Sequence, residues 1–380
     1  MTNRFGVVYS LGPSPLKATT LWAGTDDGLI YVTHDDGKKW DNVTPPAMTA
    51  WSKVSGIVGS YHDASTAYAS VDRHRLADMK PYIYRTHDGG KTWTNIVNGI
   101  PEGAYVNAIK EDPKVKGLLY AATELRVYIS FNDGDNWQPL QLDMPVTSIR
   151  DITLHGDDLD IATHGRGFWV MDQMSALRDL AQHASEIESS AVYLYKPGET
   201  IAAAPGGQNG TPLPHEEPQE LNPPAGVLVY YWLKDHATGP LKFELIDSNG
   251  RVAACAASDT PVTAVDTEMI NVQAIWEEPT LPPSAAPGMH RVVLNVASPR
   301  GGGRGVAPPR PHDACSPPDG TPAAAPIPRG GRRDPIELTP GEYTVRLTVD
   351  GKTYMRPSTI KPDPRGVHLD TAAEGTHTRS

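Results

Sequence analysis

The sequence predicts an all-β chain in two parts, and three observations carry that prediction. One turn recurs three times in the first half, short apolar runs of period two precede each copy, and similar runs return after residue 225 around Asp-Ser-Asn-Gly and Asp-Gly turns. The recurring turn reads Thr33-His34-Asp35-Asp36-Gly37-Lys38-Lys39-Trp40, Thr86-His87-Asp88-Gly89-Gly90-Lys91-Thr92-Trp93 and Ser130-Phe131-Asn132-Asp133-Gly134-Asp135-Asn136-Trp137. Each copy holds a hydroxyl residue, then Asp or Asn, then Gly, then Trp. A short polar side chain bonds neighbouring backbone N–H groups, Gly takes the positive φ, and Trp caps an apolar layer.

The runs before each turn are strands in pairs, as in Thr20–Gly24 with Leu29–Val32 and Leu119–Thr123 with Val127–Ser130. The unit is therefore a meander of short strands. A fourth unit has Asp160–Thr163, the loop His164-Gly165-Arg166-Gly167 and Phe168–Asp172, without the turn.

These turns resemble the Asp-box, or bacterial neuraminidase, repeat of sialidases, sortilin-like receptors and large bacterial proteins labelled glycosyl hydrolase, and residues 68–172 resemble the last group most. The resemblance implies β-propeller blades over residues 1–175, as a partial or four-bladed propeller. It places the box in the outer turn of each blade, where its Asp residues build structure. Members of the family are longer and exported, and the chain looks like the end of one. Open blade edges would invite self-association.

Residues 176–224 read as a linker, helical from about Met174 to Ile187 and disordered over 204–224; residues 225–365 read as a β-sandwich. Within it, Pro340–Lys352 resembles the last hairpin of the immunoglobulin-like domain found after such propellers and in flagellar hook-capping proteins. The Pro, Gly and Arg-rich insert 299–335 and the tail 366–380 are expected to be disordered. The fold class is thus all-β, propeller blades followed by an Ig-like sandwich.

A net charge of -11 argues against a nucleic-acid backbone or an anionic membrane as partner. No run approaches the roughly 18 apolar residues of a membrane span, and the opening MTNRFGVVYS lacks the features of a secretory signal, so the chain as written reads as cytoplasmic. Cys255 and Cys315 form neither a framework nor a CxxC site, and whether they pair is open.

The resemblance implies that loops joining second and third strands gather on one face. They carry Asp26-Asp27-Gly28, Asp72-Arg73-His74-Arg75 with Asp78, Glu124-Leu125-Arg126 and His164-Gly165-Arg166. Converging carboxylates suit Ca²⁺, and Asp26, Asp27, Asp72 and Glu124 are the candidate ligands. His74 and His164 are candidate general bases, with Glu124, Arg126 and Arg166 completing the catalytic set and Arg73 and Arg75 binding substrate. Each also has a plainer role, Asp as turn former, Arg as ion-pair partner and His as structural residue.

Three functions follow. The first is Ca²⁺-dependent hydrolysis of a small cyclic ester, such as an N-acyl-homoserine lactone, by analogy with other calcium propellers. The second is a glycoside hydrolase or sialidase-like activity on carbohydrate, with Trp51, Tyr82 and Trp169 stacking on sugars. The third is a non-catalytic peptide- or glycan-binding propeller. No GxSxG, HExxH, P-loop or GxGxxG signature is present, and no Tyr/Glu pair of the sialidase kind can be placed beside the arginines.

Overall fold

The computed structural model describes residues 6–202, 226–262, 281–294, 313–316 and 339–364. The segments expected to be disordered, 204–224, most of 299–335 and 366–380, lie outside the described residues. The chain divides into two compact units, Met1–Met174 and Ser175–Ser380.

The first unit is four antiparallel meanders. Blade one holds β1 (Val8–Pro13), β2 (Leu21–Thr25), β3 (Ile30–Thr33) and β4 (Asp41–Asn42). Blade two holds β5 (Lys53–Gly59), β6 (Ala67–Asp72), β7 (Ile83–Thr86) and β8 (Thr94–Asn95). Blade three holds β9 (Val106–Glu111), β10 (Leu119–Thr123), β11 (Val127–Ser130) and β12 (Gln138–Pro139). Blade four has only β13 (Ile149–His155), β14 (Asp158–Thr163) and β15 (Phe168–Met171), which agrees with its missing turn.

The repeated turn closes the same way each time. The Oγ1 of Thr33 and of Thr86 donates to Asp35 and Asp88 and accepts the Gly37 and Gly90 N–H, while Ser130 Oγ does the same with Asn132 and Gly134. The Asp or Asn then accepts the N–H four residues on, from Lys39, Thr92 and Asn136. The glycines stand at φ 82°, 89° and 87°, where a side chain would be strained. Trp93 and Trp137 then reach back to the preceding blade, donating Nε1–H to Val43 and Ile96 carbonyls. The turn thus ties blade two to blade one and blade three to blade two.

Hydrogen bonds from the Thr92 backbone and hydroxyl hold the Asp88 carboxyl at about 2, against an ordinary value of 3.8. Because the folded value is depressed, this turn's contribution is present above pH 3.8 and is lost as pH falls toward about 2. Asp88→Ala should therefore lower the melting temperature at pH 7 and shrink in effect near pH 2, as thermal melts across pH would read.

Blade stacking follows a second repeat that is visible only in three dimensions. Each inner strand skips one residue in its pairing with the next strand: Tyr9, Ser55, Asn107 and Arg150. A β-bulge at a fixed place gives every blade the same twist. On either side of the bulge sit the apolar pairs Val54 and Ile57, Val106 and Ile109, and Ile149 and Ile152, all essentially inaccessible and packed on the preceding blade. The facing surface stays small: a Cβ on Gly24 would come within 2.4 Å of Val54. Trp22, Ile30 and Val32 fill the rest of the first seam.

The second unit opens with α1 (Ser175–Ser189), kinked at His183, whose Asp179 bonds to Tyr193 and His183. Then come β16 (Val192–Leu194), β17 (Thr200–Ala202), β18 (Val227–Leu233), β19 (Lys242–Asp247), β20 (Val252–Ala257), β21 (Gly288–Leu294), β22 (Gly341–Val349) and β23 (Lys352–Pro362). They form a three-stranded sheet, β16-β18-β21, and a five-stranded sheet, β17-β23-β22-β19-β20. The inner faces share one core that includes Val227, Tyr231, Phe243, Leu245, Val345 and Leu347. β22 and β23 join through Asp350 and Gly351, both at positive φ, the two-residue turn that matches strand twist. The open question of the cysteines is answered by a Cys255–Cys315 disulfide. Among the described residues no helix is long and apolar enough to cross a membrane.

Candidate functional site

The loops after the second strand of each blade, residues 26–29, 73–82, 124–126 and 164–167, emerge from the same end of the first unit. From blades two, three and four they build one continuous polar network. Its buried floor is Asp72, whose carboxylate takes Lys53 Nζ at 2.7 Å and His74 Nδ1 at 2.6 Å. Burial pushes the Asp72 carboxyl up, but hydrogen bonds from Lys53 and His74 outweigh it and the net shift is downward. The His74 ring donates through Nδ1, which leaves Nε2 as its proton-transfer atom, and it stacks on Tyr105 with centroids 4.9 Å apart.

Tyr105 passes the network to blade three. Its phenol is pushed up to about 12 by burial and by its hydrogen bond to Glu124, so it remains a donor at neutral pH. Glu124 also accepts Ser148 Oγ at 2.7 Å and an Asn107 hydrogen bond, and lies 3.8 Å from Arg150. Burial raises its carboxyl; Ser148, Tyr105, Arg150 and Asn107 together bring it below the ordinary 4.5. Arg150 donates from Nη2 to His164 Nδ1 at 2.9 Å. Since the guanidinium has no proton-accepting atom, His164 Nδ1 is the acceptor.

The network therefore gathers Asp72, His74, Glu124 and His164 from the sequence-based candidates. The others stand apart. Asp26 accepts the Val7 N–H and Asp27 accepts the Thr25 hydroxyl, so both serve their own turn in blade one. Arg73 pairs with Asp78 at 3.4 Å and lies over the Tyr82 ring, apart from this network. Arg126 donates its backbone N–H to Thr123, and its Nε has no hydrogen-bond partner among the described residues. Arg75 and Arg166 are exposed.

The expected Ca²⁺ cage is corrected on the same grounds. Among the described residues no three His, Cys, Asp or Glu side chains come close enough together to hold a metal ion. Asp72 pairs with Lys53 and His74, Glu124 accepts from Ser148 and faces Arg150, and Asp26 and Asp27 belong to another blade. These four carboxylates do not fit a shared hard cation.

Lys53, Tyr105, Asn107, Ser148 and Arg150 were not singled out from sequence. They lie on the inner strands or immediately before them. Asn107 and Arg150 occupy the bulge position, where a polar residue follows the first apolar residue of the strand, and Lys53, Tyr105 and Ser148 stand two residues before it in their blades. Tyr105 interacts with Glu124, with Arg150 near the carboxylate.

A second surface feature lies on blade one, where Asp27, Gly28, Leu29, Thr44, Met48, Ala50 and Trp51 line a shallow open pocket. Trp51 is 41% exposed and sits at φ 64°, an unusual backbone for a bulky residue, fixed by its N–H bond to the Asp27 carbonyl. The other aromatics named from sequence are engaged: Tyr82 donates to Asp78, and Trp169 donates Nε1–H to the Arg166 carbonyl.

No protein-family model matches the chain. Over 108 residues, 28% of this chain and 13% of the relative, it is 30% identical to an oligoxyloglucan-reducing end-specific xyloglucanase of Emericella nidulans. Over 127 residues, 32% of this chain and 15% of the relative, it is 27% identical to a similar enzyme of Neosartorya fischeri. The chain thus spans about a seventh of the length of these curated relatives. Among solved structures, the GH74 enzyme of Niastella koreensis aligns with 43% of this chain and 28% of its own, at 16% identity and a TM-score of 0.37.

Proposed function

We propose that the first unit is the carbohydrate-acting part of a glycoside hydrolase-type propeller, and that its repeated turns are Asp boxes. One observation carries the reading: an ionised, partly exposed Glu124, held by Ser148, Tyr105, Asn107 and Arg150, shares one network with the Asp72–His74 pair. Glycoside hydrolysis needs a base that activates water or attacks the anomeric carbon, and an acid that protonates the departing oxygen. Glu124 serves as the base. With both carboxyls held below their ordinary values, neither is a proton donor near neutral pH, so the acid in this reading is the His74 ring, oriented by Asp72.

In this reading water adds to the anomeric carbon and gives its proton to Glu124. The glycosidic C–O bond breaks, and the departing oxygen takes the proton from His74 Nε2. Arg150 and the Tyr105 phenol offset the charge around Glu124. The exposed Trp51 offers an aromatic face for a sugar ring away from the point of cleavage. The partial identity with xyloglucanases supports glycans over lactones as substrates, and the unassembled carboxylate cage removes the motive for a calcium lactonase.

A panel of xyloglucan oligosaccharides, aryl glycosides, aryl esters and lactones tests the reading, each with added Ca²⁺ and with a chelator. Glycoside turnover that a chelator leaves unchanged is expected. Turnover of lactones alone would sink the proposal, and glycan binding without turnover would make the unit a binding module.

A further inference from the structure

Aligning the four blades on their bulges shows two half-interfaces with no partner among the described residues. Positions 8 and 11 of β1 correspond to Val54 and Ile57, Val106 and Ile109, and Ile149 and Ile152. Those six side chains are at most 3% exposed because the preceding blade covers them, whereas Val8 and Leu11 are 60% and 58% exposed. They lie in an apolar surface trough with Leu21, Tyr31 and Trp40. At the other end, Phe168 stands where Ile30, Ile83 and Val127 stand in the earlier blades. Those three are fully covered, and Phe168 is 87% exposed, with Val170 exposed beside it.

The two bare surfaces are the two halves of one kind of seam. Blade one presents the face that a preceding blade covers, and blade four presents the face that covers a following blade. The hydrogen bonds across the seams continue the series. Ser55 and Asn107, at the bulge, donate to the Val106 and Ile149 carbonyls of the next blade, and Ser10, one residue past the bulge of blade one, donates to the Val54 carbonyl. Next in line is Arg150, a donor at the bulge position of the last blade.

We infer that a second copy of this chain is the occupant, its blade four packing on blade one through Phe168, Val170 and Arg150 against Val8, Leu11 and Tyr31. Two such contacts join two chains head to tail, and the resulting ring of eight blades is within the range that propellers close. The second copy is favoured over another protein because the chain itself carries both complementary halves. The inference does not depend on the proposed activity.

Light scattering coupled to size exclusion on the whole chain tests it, with Leu11→Glu and Phe168→Glu as variants. Both sites are exposed in the single chain, and thermal melts identify a variant that fails to fold. Twice the mass of one chain is expected for the wild type, one mass for each variant, and partial return of the double mass when the variants are mixed, since one seam then remains unmodified. A wild type that stays at one mass as concentration rises overturns the inference. Variants that keep the double mass, or a mixture that recovers none, overturn the head-to-tail arrangement. Activity is read separately, so a monomer that hydrolyses glycans contradicts this inference alone.

Discussion

Replacing Glu124 by Gln is expected to lower glycoside turnover by about 10²- to 10⁴-fold, the usual range for removing a general base, with little change in melting temperature. The amide keeps the shape of the side chain and its contact with Ser148, but it cannot take a proton from water. The effect on folding is small because the carboxylate is partly exposed and its partners are hydroxyl, phenol and amide groups that can turn to solvent. Kinetics at saturating substrate, beside a thermal melt, separate the two roles. Since Glu124 lies below its ordinary 4.5, the acidic limb of the wild-type rate profile belongs below that pH. A limb well above it would assign the base to another group.

Removing the disulfide by Cys255→Ala with Cys315→Ala is expected to destabilise the second unit by about 4 kcal/mol, from the loop-closure entropy of its 60-residue separation. The bridge ties the end of β20 to residues 313–316, which otherwise hold to it through hydrogen bonds such as Thr260 to Asp313. The first unit contains no cysteine, so its own unfolding transition should not move. Denaturant unfolding followed by a probe in each unit reads both. Free thiols in the purified wild type would contradict the bridge. Persistent disulfides are characteristic of oxidising compartments, which weighs against the cytoplasmic reading of the opening residues.

What could be read from sequence was what local spacing encodes. Thr33, Asp35, Gly37 and Trp40 lie within one turn, so their chemistry names the turn without knowledge of anything distant. The same holds for the ionisable groups of the second-to-third strand loops, and Asp72, His74, Glu124 and His164 do enter one network. Asp26 and Asp27 stand outside it, because a short loop carboxylate looks the same in sequence whether it faces a ligand or caps the N–H of Val7. Arg73 stands outside it beside Asp78, five residues on.

The remaining members depend on contacts between strands and between blades. Lys53 reaches Asp72 from the neighbouring strand, Tyr105 meets His74 across a seam, and Arg150 reaches Glu124 and His164 from the inner strand of blade four. Such distances are set by the bulge and the stacking of sheets, neither of which leaves a spacing rule in the chain. The unpartnered faces were hidden for the same reason: Val8 and Leu11 read as ordinary strand residues until their counterparts in the other blades are seen to be covered.

The central claim is that the Asp72–His74 and Glu124 network cleaves glycosidic bonds. The most direct test is release of new reducing ends from xyloglucan oligosaccharides by the purified chain, compared with folded Glu124→Gln and His74→Ala variants. Turnover by the wild type, lost in both variants at unchanged melting temperature, is the expected result. Equal turnover in wild type and variants, or none from a folded wild type that still binds the oligosaccharide, would contradict it.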